Sequence, residues 1–336
     1  MVQKMGTVAL FLGAFILALA ALSKFYMYNQ VAVVPLNNQS TTILATVPGA
    51  DAEYLDAAAG LKTVKGPLKS IQLVTGDVKL SKQASKDLGR DVAVWTDYNC
   101  TDAPGFNCAG GETPLSATND RVAFDVRTGE AADWKGNKNE ANGEVTSPMP
   151  YEGLFYKFPF DTQKKTYQWW DSTLKKTTPA KYVGEGKVKG IKVYKFVQTI
   201  APIKTGTIDV PGSLVGSDQT TVTADQIYSE VRSFSIEPVT GAPFGVVDSQ
   251  DTYLEVDGKR GATLTKASLS MTDASVQALV DQYGSKITQL KAVKTSIPVG
   301  GTVLGLVLIG LGVMSRRGGK TDGSRKADKG ELVHSR

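Results

Sequence analysis

Two long uncharged segments, one near each end, constrain this chain more than any other feature. Residues 5–23 and 297–315 are each 19 residues long and contain no charged side chain. A helix rises about 1.5 Å per residue, so each segment is long enough to cross a bilayer core of about 30 Å. The 273 residues between them are polar and contain many short strand-like runs. The sequence therefore predicts a large domain held at both ends by membrane helices.

The composition supports a folded domain between these segments. Of the 336 residues, 41% are apolar and 21% are charged, as in an ordinary globular chain. This excludes a disordered chain, a collagen-like chain and a disulfide-stabilised miniprotein. The strand-like runs predict a mainly β (α+β) fold, an antiparallel meander with a long amphipathic helix near its C-terminal end.

The charges predict how the chain is oriented in a membrane. Residues 316–336 carry seven basic and three acidic side chains, and Lys4 precedes the first apolar segment. Lys and Arg close to a span stay on the cytoplasmic side. We therefore expect a two-pass plasma-membrane protein with both termini cytoplasmic and the central domain extracytoplasmic. That domain holds thirty basic and thirty acidic residues, so it lacks the basic surface of a nucleic-acid binder.

These patterns divide the chain into five segments. They are a cytoplasmic end with an anchor helix (1–23), a β-rich domain (24–272), an amphipathic membrane-proximal helix (273–296), a second span (297–315) and a disordered basic tail (316–336). The first span could instead be a cleaved signal peptide, because Ala18-Leu19-Ala20 fits a cleavage rule. Its apolar run is longer than the usual core of about 7–15 residues, which favours an uncleaved anchor.

The pattern changes from strand to helix at Thr272. The following apolar side chains share one helical face at spacings of three and four: Val276, Leu279, Val280, Tyr283, Ile287, Leu290 and Val293. Thr272 or Asp273 is a suitable N-cap, and Pro298 predicts a break or kink before the second span. The helix either packs on the sheet, which is the commoner arrangement, or forms a membrane-proximal stalk.

The two cysteines, Cys100 and Cys108, stand in a segment rich in turn-forming residues. In an exported domain we expect such a pair to form a disulfide that closes a small surface loop. A metal pair or a redox dithiol is the alternative. Neither is favoured, because no histidine is near and the spacing is not C-x-x-C.

Turn signals divide the β-rich domain into strands. Lys189-Gly190, Thr240-Gly241 and Asp257-Gly258 each separate two strand-like runs and predict β-hairpins. Residues 151–160 and 166–171 predict a further hairpin across a short polar turn.

Three other segments carry weaker signals. Residues 31–36 and 41–47 read as short strands. Residues 51–60 predict one or two helical turns that end at a glycine. Residues 131–150 are rich in Gly, Asn and Lys and predict a long exposed loop.

Few residues suit catalysis. The single histidine, His334, lies in the C-terminal tail, so the central domain can hold no Ser-His-Asp triad, Cys-His pair or histidine-based metal site. Neither a Walker-type phosphate loop nor a dinucleotide-binding glycine motif is present. No motif marks a carboxylate pair or a calcium loop. We therefore expect a non-enzymatic protein with no catalytic residues, no metal and no cofactor.

An aromatic cluster is the strongest candidate for a binding site. It holds eight of the chain's aromatic residues within a short stretch: Tyr151, Phe155, Tyr156, Phe158, Phe160, Tyr167, Trp169 and Trp170. Adjacent rings in a strand point to opposite faces, so both faces need cover. The cluster is either the core of a two-layer fold or, on one face, the wall of a groove for a lipid or glycan.

Glycines mark one face of each apolar segment. Gly301, Gly305 and Gly312 share a face of the second, and Gly6 and Gly13 share a face of the first. Small residues let helix backbones approach closely in a membrane, although glycine is also common in spans. We expect association of the two helices within one chain or between copies.

The stretch YEGLFYKFPFDTQKKTYQWWD, the two terminal spans and the SIEPVTG turn together carry a family resemblance. The chain resembles the actinobacterial membrane proteins grouped as the porin PorA family, over nearly its whole length and most specifically in KFPFDTQKKTYQWWD. The resemblance implies a bitopic envelope protein with an extracytoplasmic β-rich domain, associated with envelope lipid or lipoglycan assembly. It supplies no catalytic residues.

Three functional hypotheses remain. The leading one is a tethered domain that binds or positions a lipid, a lipoglycan or a similar envelope ligand through its aromatic cluster. The second is an envelope scaffold that recruits partners. The third is the channel that the family name suggests, although the spans offer only Thr7, Ser23, Thr302 and Ser315 as polar lining groups.

Overall fold

The computed structural model describes residues 2–56, 59–110, 113–141 and 143–318. Contacts divide the chain into two compact units. A helical unit comprises Met1–Ala32 with Ile287–Arg336, and a sheet unit comprises Val33–Lys286. Most of the predicted basic tail lies outside the described residues.

The helical unit contains the two apolar segments. Helix α1 spans Val2–Leu22, a π-helical segment Ser23–Met27 and a short helix α2 Tyr28–Val31. From the sheet unit, helix α4 (Asp273–Lys291) continues through a π-helical segment (Ala292–Ser296) into helix α5 (Ile297–Gly318). By length and composition, Lys4–Val31 and Asp273–Arg316 can each cross a membrane.

The predicted break at Pro298 takes a milder form. The helix continues past the proline, and the hydrogen bonding widens just before it, where the Ile297 N–H donates to the Ala292 carbonyl. Proline has no N–H to donate to the carbonyl one turn earlier, and a π-helical turn accommodates that loss without ending the helix.

The described part of the sheet unit is mostly β-structure. Its strands, β1 to β14 in chain order, are Gln39–Thr46, Ala52–Asp56, Lys62–Gly66, Lys69–Gly76, Val92–Asp102, Ser116–Asp125, Lys138–Ala141, Glu144–Thr146, Tyr167–Asp171, Lys176–Val188, Ile191–Pro211, Thr221–Ile236, Pro243–Val256 and Lys259–Met271. Helix α3 covers Val78–Leu88. The coarse prediction of a mainly β domain with helices at both ends is confirmed.

The strands form one curled antiparallel sheet in the order β8-β7-β6-β5-β4-β1-β14-β13-β12-β11-β10-β9, with β2 and β3 paired beside β14. Isolated bridges then link β9 back towards β6: Trp169 with Leu154, Leu154 with Glu130, and Ala131 with Phe124. The sheet therefore curls so that β9, at one end, comes close to β6, near the other end.

The central pairing joins the first and the last strand of the domain. Strand β1 lies between β4 and β14, with Leu44 opposite Met271. The Thr272 N–H donates to the Ile43 carbonyl, and Thr272 also caps α4, because its hydroxyl oxygen accepts from the Ser275 N–H. The helix predicted from Thr272 is present at that position.

The three predicted hairpin turns are confirmed. Lys189 and Gly190 both have positive φ, 47° and 81°, and Asp257 and Gly258 have 49° and 72°. Two consecutive positive φ values define the type I′ turn, whose twist matches that of the flanking strands. The segment with Gly241 joins β12 to β13.

Three local expectations were wrong. The expected helical turns at 51–60 are replaced by strand β2, Ala52–Asp56, which pairs with β3 and β14. Residues 31–36 do not form a strand. The expected loop 131–150 holds strands β7 and β8, and buried residues that include Trp134 and Asn137.

The predicted aromatic hairpin is also wrong in its first arm. Residues 151–166 cross the fold without forming a regular strand, and the hairpin partner of β9 is β10. Gly153 and Asp161 have positive φ, which interrupts extended backbone at both ends of the segment. Tertiary packing therefore outweighs the alternating pattern of the sequence.

The disulfide prediction is confirmed. Cys100 at the end of β5 is bonded to Cys108, with their Cα atoms 6.1 Å apart. The bond closes a short loop after the strand. In the chain-entropy model a loop of this length contributes about 2.5 kcal/mol to stability.

Candidate functional site

The curled sheet encloses a cavity of about 320 Å³. Side chains from β4, β5 and β6 form one wall, and side chains from β12 and β13 form a second. A third comes from the irregular segment at 155–157 and from β9. The volume lies at the lower end of the range of about 300–1,000 Å³ for small-molecule sites.

The structure divides the predicted aromatic cluster between the core and the cavity. Four rings line the cavity: Phe155, Tyr156, Trp169 and Trp170. The others lie elsewhere. Phe158 and Tyr167 belong to the aromatic core between β9 and β12, Tyr151 packs against Trp170, and Phe160 packs on the core near Trp95.

The adjacent tryptophans belong to different hydrophobic clusters, as expected for neighbours in a strand. Trp169 packs against Phe158 and Phe234, whereas Trp170 packs against Tyr151. Both are at least 92% buried and both contribute to the cavity wall. The cavity is therefore bordered by side chains from both faces of β9.

A buried carboxylate pair forms part of the first wall. Asp97 and Asp120 are opposite each other in the β5–β6 register. Asp97 Oδ2 accepts from Gln72 Nε2 at 2.7 Å, and Asp120 Oδ1 accepts from the Tyr151 hydroxyl at 2.5 Å and from Asn139 Nδ2 at 2.6 Å. Burial raises the pKa of Asp97 to about 7, the Gln72 hydrogen bond opposes this rise, and the charge of Asp120 adds to it. Burial likewise raises the pKa of Asp120.

A second charged cluster lies on β12 and β13. Arg232 Nη2 is 2.5 Å from Glu230 Oε1 and 3.2 Å from Asp248 Oδ2. The Tyr228 hydroxyl donates to Glu230 and lies 3.1 Å from Asp171 Oδ2. Burial raises the pKa of Glu230 well above its usual value, although Arg232 acts in the opposite direction. The arginine is thus held between two acidic groups inside the sheet.

A buried lysine completes the charged lining. Lys157 is 7% exposed, and its Nζ donates to the Phe158 carbonyl at 2.6 Å. The same ammonium group lies 3.9 Å from the centre of the Phe160 ring, a cation–π distance. Burial lowers the pKa of Lys157 to about 7.

Two polar atoms of the wall have no hydrogen-bond partner among the residues that the structure describes. They are Asp97 Oδ1 and Trp170 Nε1. Nine in ten buried polar groups in proteins do have a partner, so such atoms need an explanation, such as a bound molecule. The cavity thus presents one acceptor and one donor beside its rings.

None of these polar residues was predicted from the sequence. Their signal is a charged side chain at an inward position of a strand, as at Asp97 in VAVWTDY and Arg232 in YSEVRSF. Alternation alone cannot identify the inward face until the curl of the sheet is known. Within the described ranges, no group of three His, Cys, Asp or Glu residues is placed to hold a metal ion.

The helical unit has a separate feature, a glycine-lined contact between α1 and α5. A Cβ placed at Gly13 would lie 2.7 Å from the Gly305 carbonyl oxygen, and one at Gly6 would lie 3.0 Å from that of Gly312. A Cβ at Gly301 would lie 3.0 Å from Ala20 Cβ. The backbones thus approach so closely that no side chain fits between them.

This chain thus combines a cavity-bearing antiparallel β-domain with two apolar helices of membrane length. The sequence model described as Porin PorA matches residues 5–314. The chain belongs to this family, as its aromatic motif predicts.

Two relatives, both named Porin PorA, are similar to the chain over part of its length. The protein from Corynebacterium resistens is 26% identical over 272 residues, which cover 70% of this chain and 63% of the relative. The protein from Corynebacterium amycolatum is 25% identical over 253 residues, or 60% of this chain and 65% of the relative. The chain thus matches less than two thirds of the length of either relative.

Proposed function

We propose that this chain is a non-enzymatic membrane protein of the cell envelope whose sheet unit binds a lipid or lipoglycan in the cavity. The observation that carries the proposal is the wall itself. Four aromatic rings stand beside buried polar atoms that lack partners within the described residues. An amphipathic ligand satisfies both parts, because its apolar body covers the rings and its polar end pairs the polar atoms.

Neighbouring threonines on β1 provide a direct test. Thr42 lines the cavity, whereas Thr41 is exposed. We expect native mass spectrometry of the full chain, extracted in mild detergent, to show a co-purified lipid. Thr42→Phe should lose most of it, because the ring fills the cavity. Thr41→Phe is the matched control and should retain it. Equal occupancy in the two variants, or none in the unmodified chain, would refute the proposal.

We further propose that the two helices span the plasma membrane with both ends in the cytoplasm. Lys4 and the basic tail flank the spans, and such residues remain inside. Protease added outside intact spheroplasts should digest the sheet unit and spare a C-terminal tag. Loss of the tag while a cytoplasmic marker survives would contradict this orientation.

A channel is the second candidate, and the descriptions of the family and of both relatives favour it. The contact between α1 and α5 limits where a pore could form. Gly13 and Gly305 touch through their backbones, so one copy leaves no pore between its own helices. A channel would therefore form between several copies. Purified full chain should give stepwise conductance in planar bilayers, and an inactive preparation that still binds lipid would rule this candidate out.

The same contact makes a prediction about helix association. Gly305→Leu should strongly reduce disulfide cross-linking between Ala20→Cys and Gly301→Cys in membranes, because the new side chain separates the helices. Gly310→Leu is the matched control, since no described atom outside its own helical turn lies within 4 Å of its Cβ position. Equal cross-linking in the two variants would show that the glycines do not set the contact.

A further inference from the structure

The unpartnered atoms of the cavity wall restrict the chemistry of what can bind there. Trp170 is 3% exposed and Asp97 is 6% exposed, so neither is satisfied by bulk water. Within the described chain, Trp170 Nε1 is a donor without an acceptor, and Asp97 Oδ1 lacks a partner as well. A ligand group that forms hydrogen bonds with both atoms must both donate and accept. Hydroxyl groups do both.

The charged groups of the wall disfavour an anionic ligand. Four carboxylates line the cavity: Asp97, Asp120, Asp171 and Asp248. Arg232 is already paired with Glu230 and Asp248. Lys157 donates to a backbone carbonyl and lies over the Phe160 ring, and burial lowers its pKa to about 7, so it offers little charge to an anion. A phosphate would therefore meet the carboxylates without a strong cation to pair with it.

A simple ammonium group fits less well than a hydroxyl. It would be attracted to the carboxylates, but an ammonium group only donates hydrogen bonds. The Trp170 N–H would then stay unpaired inside the fold, and an unpaired buried donor is costly. Phe155 and Tyr156 also line the cavity, where their rings can contact the C–H surface of a ring-shaped polyol.

We infer that the cavity receives the uncharged, hydroxyl-rich end of the ligand, such as a sugar ring, and excludes phosphate. This inference rests on the proposed function, because it names the part of the amphipathic ligand that the polar wall holds. The hydroxyl groups donate to Asp97 and accept from Trp170.

Three small amphiphiles with the same alkyl chain test the inference: butyl glucoside, butylamine and butyl phosphate. Their affinities are measured by ligand-observed NMR with the full chain in nanodiscs of zwitterionic lipid. Glucoside should bind at least about fivefold more tightly than either of the others, the effect of roughly one net hydrogen bond. Trp170→Phe keeps an aromatic ring, removes the donor and should lower that preference. The surface variant Asp133→Asn should leave it unchanged.

The outcomes separate this inference from the proposed function. Equal or tighter binding of the phosphate or the amine overturns the inference and leaves a ligand-binding cavity. Glucoside preference that survives in Trp170→Phe and in Asp97→Asn also overturns it, because the selectivity then arises elsewhere. Binding of none of the three, together with no co-purified lipid in the unmodified chain, overturns the proposed function itself.

Discussion

Replacing Phe158 with alanine should lower the free energy of unfolding of the sheet unit by about 3–5 kcal/mol, in the range for removing a buried aromatic ring. Phe158 is fully buried, and its ring contacts four others at centroid distances from 4.6 to 5.7 Å: Tyr167, Trp169, Phe196 and Phe234. Its N–H also donates to the Gly241 carbonyl, which holds the irregular segment close to the turn between β12 and β13. The variant should therefore lose as much free energy of unfolding as expected for a residue at the centre of the core.

Chemical denaturation of the full chain in detergent, followed by near-UV circular dichroism, measures the effect. Val183→Ala serves as the control, because Val183 is 58% exposed on β10 and its truncation should change the free energy of unfolding little. The loss of stability in Phe158→Leu should lie between those of Phe158→Ala and Val183→Ala. A loss below about 1 kcal/mol in Phe158→Ala would mean that the aromatic core collapses around the gap.

Asp97→Asn should stabilise the sheet unit at pH 8 and have little effect at pH 4. The pKa of Asp97 is raised from 3.8 to about 7 by burial, so the folded state binds this proton more tightly than the unfolded state. Stability therefore falls as pH rises from about 4 to 7, and the loss is complete above the folded pKa. Three pKa units correspond to about 4 kcal/mol, which is the upper size of the gain in the variant.

Melting temperatures measured from pH 4 to pH 8.5 test this expectation. Asparagine can keep the acceptor for Gln72 Nε2, so the variant mimics the protonated acid. Asp133→Asn is the control, because Asp133 is exposed, and its curve should follow that of the unmodified chain. A parallel decline of Asp97→Asn and the unmodified chain would show that Asp97 is not the group responsible.

Local signals predicted the parts of the fold that depend on a few adjacent residues. Lys189-Gly190 and Asp257-Gly258 define turns whose positive φ values only certain residues adopt readily, so the hairpins follow from the sequence. Helix α3 was missed although its ends carry standard signals. Asp77 accepts from the Leu80 N–H as N-cap, and Gly89 ends the helix with positive φ. The helix is short, and the strand-like runs on both sides obscured it.

The cavity could not be predicted in the same way, because it depends on which strands the curl brings together. Asp97 and Arg232 are 135 residues apart in sequence and line one cavity. The aromatic cluster was identified as a candidate, yet half of its rings serve the core, since Leu154 and the segment after it close the sheet instead of forming a strand. Burial by distant segments, which no local pattern encodes, decides the role of each ring.

The pairing of β1 with β14 has a consequence for the order in which the domain is made. Leu44 leaves the ribosome long before Met271, its partner across the ladder. Strand β4 can pair with β1 early, but the other edge of β1 stays open until nearly the whole domain has been synthesised. An open strand edge is a template for wrong pairing, and pairing of such distant segments is slow. The nascent domain is thus most prone to aggregation just before its last strand arrives.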